Sequence, residues 1–217
     1  LSELHAPDVD MGRRFRLAID RAFTLKGSGL VVTGTALSGE VSVGDTLWLS
    51  RLNLPVRVRS LHAQNQSVTR AQAVERIALN IVGDVEKDQI ARGDWLLAQA
   101  QPTGTQRLIV ALRLLRPLKT PSQPVHLHHA ASHTTGRLNV IACEMAELVL
   151  SEPLWLAEND RLIIRDSNAQ QTLGGGRVLL LNSKKRGKRH PDYLSWLQQL
   201  AAAETDEESL PAHLIQQ

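Results

Sequence analysis

The chain has 217 residues, 42% of them apolar, a make-up that fits a folded protein of two ordinary domains and excludes a disordered one. A single cysteine, Cys143, excludes an internal disulfide and a cysteine-based zinc site, and no apolar run nears the ~20 residues of a membrane-spanning helix. The formal net charge is only +3 and aromatics make up 3%, so nucleic acid would have to be held by local arrangement, not by a global field or an aromatic stacking platform. A cytoplasmic monomer with no membrane contact is the expectation.

Short stretches rich in Val, Ile, Leu and Thr run from Phe15 to Phe23, Leu30 to Leu37, Asp45 to Ser50, Val56 to His62 and Ala73 to Val82. Gly, Asn, Ser or Pro separates them at 8 to 12 residue spacing, which predicts a β-barrel over 12–99. "AIDRAFTLKGSGLVVTG" is its first hairpin, with Asp20 and Arg21 where apolar side chains are expected. Strand alternation sends those two to opposite faces, and by spacing alone they read as a surface pair worth about 0 to 1 kcal/mol. "EKDQIARGDWLLA" predicts one helical turn and then a closing strand.

After the polar bridge "QAQPTGTQ", further strand-like stretches from "QRLIVALRLL" to "GGRVLLLN" predict a second β-barrel over 104–182. The fold class is therefore all-β, two consecutive barrels followed by a short helical C-terminal segment. Residues 183–190 form a basic linker with five Lys or Arg between 184 and 189, expected to be a solvated tether. "HPDYLSWLQQLAAAE" then shows the i, i+3, i+4 apolar pattern of a helix, and 191–217 is expected to begin a further domain.

Motifs that invite chemistry mostly have plainer explanations. "GSGLVVTG" lacks the G-x-x-x-x-G-K-[ST] pattern and sits in a hairpin, so it is no phosphate loop. "TLGGGRV" is expected to be a tight turn, since no helix follows it. His126, His128, His129 and His133 form the one histidine cluster, with His126 and His128 on one strand face, but no close third ligand accompanies them and no metal is expected. Cys143 follows "LNVIA" and is expected to be buried and inert. No catalytic residue is expected.

"AIDRAF", "GSGLVVTG" and "GEVSVGDTL" together resemble the second domain of elongation factor Tu and its relatives, written I-E-D-x-F, G-x-G-x-V-V-T-G and G-x-x-x-x-G-D. "AVERIALNIVGDVEKDQIARGDWLLA" resembles that domain's end, while "HTTGRL" and "DRLIIRDSNAQQTLGGGRV" resemble motifs of the third domain. In that family an acidic pair, a Thr and an Asn surround the amino acid and terminal adenosine of an aminoacyl-tRNA. The matching positions here are Asp20, Arg21, Thr33 and Arg76, so an acid and a neutral amide are replaced by arginines.

Two cations around one small pocket suit an anionic side chain such as a selenolate, which makes the chain similar to the selenocysteine-specific elongation factors. That resemblance implies a pocket of Asp20, Arg21, Thr33 and Arg76, the arginines coming from neighbouring strands, and a wall for the tRNA 3′ end made by Phe23, Gly27, Ser28 and Gly29. It further implies that 1–11 join a G domain outside this sequence, which would hold GTP and Mg; no cofactor is expected within the chain. Residues 191–217 would open the winged-helix repeats that bind a hairpin in the selenoprotein mRNA. The implied partners are selenocysteyl-tRNA and the ribosome. The alternative is a barrel module of another translation-type GTPase, with no amino-acid pocket.

Overall fold

The computed structural model describes residues 14–101, 103–184 and 187–203. The expected G-domain linker over 1–11 and the end of the expected winged-helix start, 204–217, lie outside the described residues. The chain divides into two compact units at Gly104/Thr105, with the turn Ala130–Ser132 grouped with the first.

The first unit contains β1 (Arg16–Leu25), β2 (Gly29–Ser38), β3 (Glu40–Ser42), β4 (Thr46–Leu49), β5 (Leu54–Ala63), β6 (Gln66–Val68), β7 (Arg70–Gln72), β8 (Arg76–Val82), a 3-10 turn at Lys87–Gln89 and β9 (Trp95–Leu97). Its sheet runs β4-β9-β1-β2-β8-β5-β6, and β4 also pairs with β5, which closes the barrel; β3 and β7 form a separate ribbon. Alternation explains the interior. Leu17, Ile19, Val32, Ala36, Leu61, Ile77 and Leu79 are all buried in one apolar cluster, leaving the residues between them for the outer face. The closing strand is held from outside the ladder as well. Arg51 donates through Nε and Nη2 to the two oxygens of the buried Asp94 carboxylate at 3.0 and 2.9 Å, next to Trp95.

The second unit is the closed barrel β10-β13-β12-β11-β14-β15, made of β10 (Thr105–Leu114), β11 (Ser122–His129), β12 (Ser132–Ala142), β13 (Met145–Leu154), β14 (Arg161–Arg165) and β15 (Thr172–Leu181). Leu108, Val110, Leu127, Leu138, Leu148 and Ile164 fill it. The helix α1 (Pro191–Ala203) lays Leu197, Tyr193 and Leu200 over Ile109, Met145 and Leu179 on the barrel's exterior.

The structure departs from the sequence-based expectation at three places. "TLGGGRV" is not a turn but the start of the ten-residue strand β15. A Cβ at Gly174 would stand 2.2 Å from the Arg113 carbonyl oxygen and one at Gly176 3.2 Å from Val110, so close strand approach, not chain reversal, demands glycine there. Cys143 is exposed, because the apolar run breaks at a Cys143–Glu144 turn in which Glu144 takes φ 56°. Nor is the basic linker a simple solvated tether. Ser183 is buried, and the Lys188 ammonium, whose side chain is 10% exposed, pairs with the buried carboxylate of Glu147.

Candidate functional site

The first hairpin contains a β-bulge. Ile19 pairs with Gly34 and Arg21 with Thr33, so Asp20 is the extra residue with no partner of its own. A bulge breaks strict alternation, and Asp20 and Arg21 are not segregated to opposite faces as expected. The Asp20 carboxylate reaches the side chain of Thr33, the very residue that stands opposite Arg21. Gly34 permits the bulge: a Cβ there would lie 2.0 Å from the Ala18 carbonyl oxygen.

On this outer face Thr33 Oγ1 donates to Asp20 Oδ1 at 2.8 Å. Arg76 donates through Nη1 to Oδ2, and through Nη2 to Oδ1 at 3.3 Å. Thr33 is therefore joined to Arg76 through one carboxylate. β8 contributes Arg76 opposite Thr35, two residues along β2 from Thr33, so both threonines and both arginines share the face. β2 lies between β1 and β8. The arginines thus come from strands flanking a common neighbour and are offset by two residues along it, about 12 Å apart at the backbone, not from adjacent strands as expected.

Exposure separates the roles. The Asp20 side chain is 23% exposed and that of Arg76 62%, so the pair has a sheltered acid and a solvent-facing base. Arg21 is exposed. With one carboxylate and two guanidinium groups, the cluster carries one surplus positive charge and offers donors to an anion.

Further along the same face, Phe23 pairs with Val31, and Val31 with Asn80. Gly27 and Gly29 take φ 83° and 89°, the left-handed values that let the Lys26–Ser28 segment reverse, and Ser28 N donates to the Leu25 carbonyl at 3.1 Å. Asn80 was missed from the sequence. It is buried, its Nδ2 donates to the Ser28 carbonyl at 2.6 Å, and it thereby ties the hairpin tip to β8. A polar residue inside the apolar run "IALNIV" was the available signal.

Two of the histidines are held by local polar partners. His126 Nε2 lies 3.1 Å from the Ser167 carbonyl, and His129 lies between the Arg161 carbonyl and the Asp160 carboxylate, 3.1 Å from each. His128 stacks on His133 with centroids 5.8 Å apart; burial, with the charges of His133, Arg165 and His126 adding, holds it below the ordinary histidine range. Among the described residues no group of three or more His, Cys, Asp or Glu is placed to hold a metal.

Two barrels follow one another, and the first carries a polar cluster on its outer face beside a glycine hairpin. Residues 29–97 match the family described as elongation factor Tu domain 2, and 105–185 the family described as selenocysteine-specific elongation factor, beta-barrel domain. The selenocysteine-specific elongation factor of Escherichia coli is 61% identical over 92% of this chain and 32% of its own length. That of Haemophilus influenzae is 42% identical over 90% and 33%. A crystal structure of a bacterial selenocysteine-specific elongation factor superposes with a TM-score of 0.77 at 27% identity, covering 90% of this chain and 32% of that one. The chain belongs to the selenocysteine-specific elongation factor family, and it spans about a third of the length of these curated relatives.

Proposed function

We propose that the chain is the part of a selenocysteine-specific elongation factor that receives the aminoacyl end of selenocysteyl-tRNA, for delivery to the ribosome at a recoded stop codon. The observation that supports this most is the linked cluster of Thr33, Asp20 and Arg76, with Arg21 on the same outer face. Arg21 and Arg76 supply fixed positive charge to a selenolate. A selenol is ionised near neutral pH where a serine hydroxyl is not, so charge-assisted donors favour the former. Asp20 holds the Arg76 guanidinium and leaves a carboxylate facing the ammonium of the esterified amino acid. Phe23 and the Gly27–Gly29 turn form the wall for the tRNA 3′ end, and Asn80 keeps that wall in place.

GTP and Mg would belong to a G domain outside this sequence, and the mRNA hairpin to winged-helix repeats beyond it. The chain itself contributes binding, not catalysis. Titrating the complete factor with selenocysteyl-tRNA and seryl-tRNA of the same body tests the proposal. Tighter binding of the first is expected, and equal affinities would contradict it.

A further inference from the structure

The second unit carries a trough of about 660 Å³ built from residues the proposed tRNA site does not use. Its floor is the outer face of β10, β15 and β14; α1 walls one side through Gln198, Ala201 and Ala202, and the Cys143–Glu144 turn stands on another. Register explains the shape. Ala111 stands opposite Arg177, which stands opposite Arg161; two residues along, Arg113 stands opposite Gly175. Residues paired across a ladder share a face, so three arginines share the face of Gly175, which has no side chain, and the exposed Ile163 flanks it on β14. Packing demands that gap less than it does at Gly174. A Cβ at Gly175 would press on the Leu162 carbonyl oxygen at 3.3 Å, a tight contact, whereas at Gly174 it would stand 2.2 Å from the Arg113 carbonyl oxygen.

The charge is concentrated in the same place. Glu144 is the one carboxylate among the described residues lining the trough, against Arg113, Arg161 and Arg177. Arg177 donates to the neutral Asn159 Oδ1 at 3.1 Å and to the Ala201 carbonyl at 3.0 Å, which fixes its guanidinium at the foot of α1. Burial, and then the neighbouring charge of Arg161, hold it below the ordinary arginine range. An anion between these arginines would relieve that repulsion.

We infer that the trough binds a nucleotide, either a unit of an RNA strand or a free mononucleotide, with its phosphate on Arg113 and Arg161 and its base against the bare Gly175 floor. The volume is that of a small-molecule site, which typically runs from about 300 to 1,000 Å³. Guanidinium groups suit both parts, since they fork onto phosphate and stack on planar rings. This inference stands independently of the aminoacyl site on the first barrel.

Cys143 lines the trough, is exposed and is the only cysteine, so its alkylation reports occupancy directly. The purified chain is treated with iodoacetamide alone and with saturating AMP, a single-stranded RNA dodecamer, or inorganic phosphate. The nucleotide or the RNA should slow the reaction by about tenfold at ten times its Kd. Protection by RNA alone assigns the site to a strand, and protection by AMP as well assigns it to a free nucleotide. The effect should vanish in Arg113→Ala/Arg161→Ala and in Gly175→Val, which fills the floor but keeps every arginine, with circular dichroism confirming that both variants fold. Asp20→Ala should leave it intact. No protection from AMP or RNA, equal protection from inorganic phosphate, persistence in both variants, or loss in Asp20→Ala would each overturn the inference.

Discussion

Gly34 shows how one missing side chain organises the site. With the Ala18 carbonyl 2.0 Å from where its Cβ would be, Gly34→Ala must push β1 off β2 or flatten the bulge. It should destabilise the first barrel by about 1 to 3 kcal/mol, as overpacking does, and should displace Asp20 from Thr33; urea unfolding measures the first effect. Val74 is the opposite case. It takes φ 73°, a left-handed conformation that a β-branched residue rarely adopts, fixed by Val74 N donating to the Ala36 carbonyl at 2.8 Å just before Arg76 enters β8. Val74→Gly removes about 1 to 2 kcal/mol of strain and forfeits about 0.5 to 1 kcal/mol of backbone entropy. Because Val74 is 50% exposed, little burial is lost. The variant should be more stable, with a higher urea midpoint at unchanged slope; a lower midpoint would show that Val74 is not strained. Asp20 and Arg21 were legible in the sequence as an anomaly, but the bulge was not, because it depends on how near two strands come.

At the scale of elements, turn residues made most strands and both barrels legible, since Gly, Asn and Pro mark where a chain reverses. The same rule misread "TLGGGRV", where glycine serves close strand approach inside β15, and it did not locate the turn at Cys143–Glu144, which contains neither Gly nor Pro. The linker was misjudged because composition shows its charge but not the acid waiting for it. Glu147, 5% exposed, accepts from Arg107 at 2.8 Å and from Ser183 at 3.3 Å, and takes the Lys188 ammonium on the same oxygen. Burial pushes its carboxyl up, but hydrogen bonds from Lys188 and Arg107, with their charges, outweigh that and hold it below the usual carboxylate range. A carboxyl whose folded pKa is depressed stabilises fully above its unfolded pKa of about 4.3 and loses that contribution as pH falls through the folded value. Acid should therefore weaken the second unit below about pH 4.3, and Glu147→Gln should flatten that part of the pH–stability curve. Glu147→Ala should cost about 3 to 5 kcal/mol at neutral pH, because Lys188 and Arg107 lose their buried partner. A loss under 1 kcal/mol would mean that solvent already satisfies them.

For the molecule as a whole, the sequence carries no G-x-x-x-x-G-K-[ST] phosphate loop, so calorimetry of the purified chain with GTP and Mg should show no binding of the kind a translation GTPase displays. In the proposed pocket Arg76 serves the side chain of the charged tRNA, not its phosphate backbone. The direct measurement is the affinity of the complete factor and its Arg76→Ala variant for selenocysteyl-tRNA and seryl-tRNA, each at two salt concentrations. Loss of a charge-assisted contact should weaken selenocysteyl-tRNA by about 1.5 to 3 kcal/mol more than seryl-tRNA, with little change in the salt slope. Equal losses for both tRNAs, with a salt slope reduced by about one unit, would assign Arg76 to the backbone and contradict the selenolate pocket.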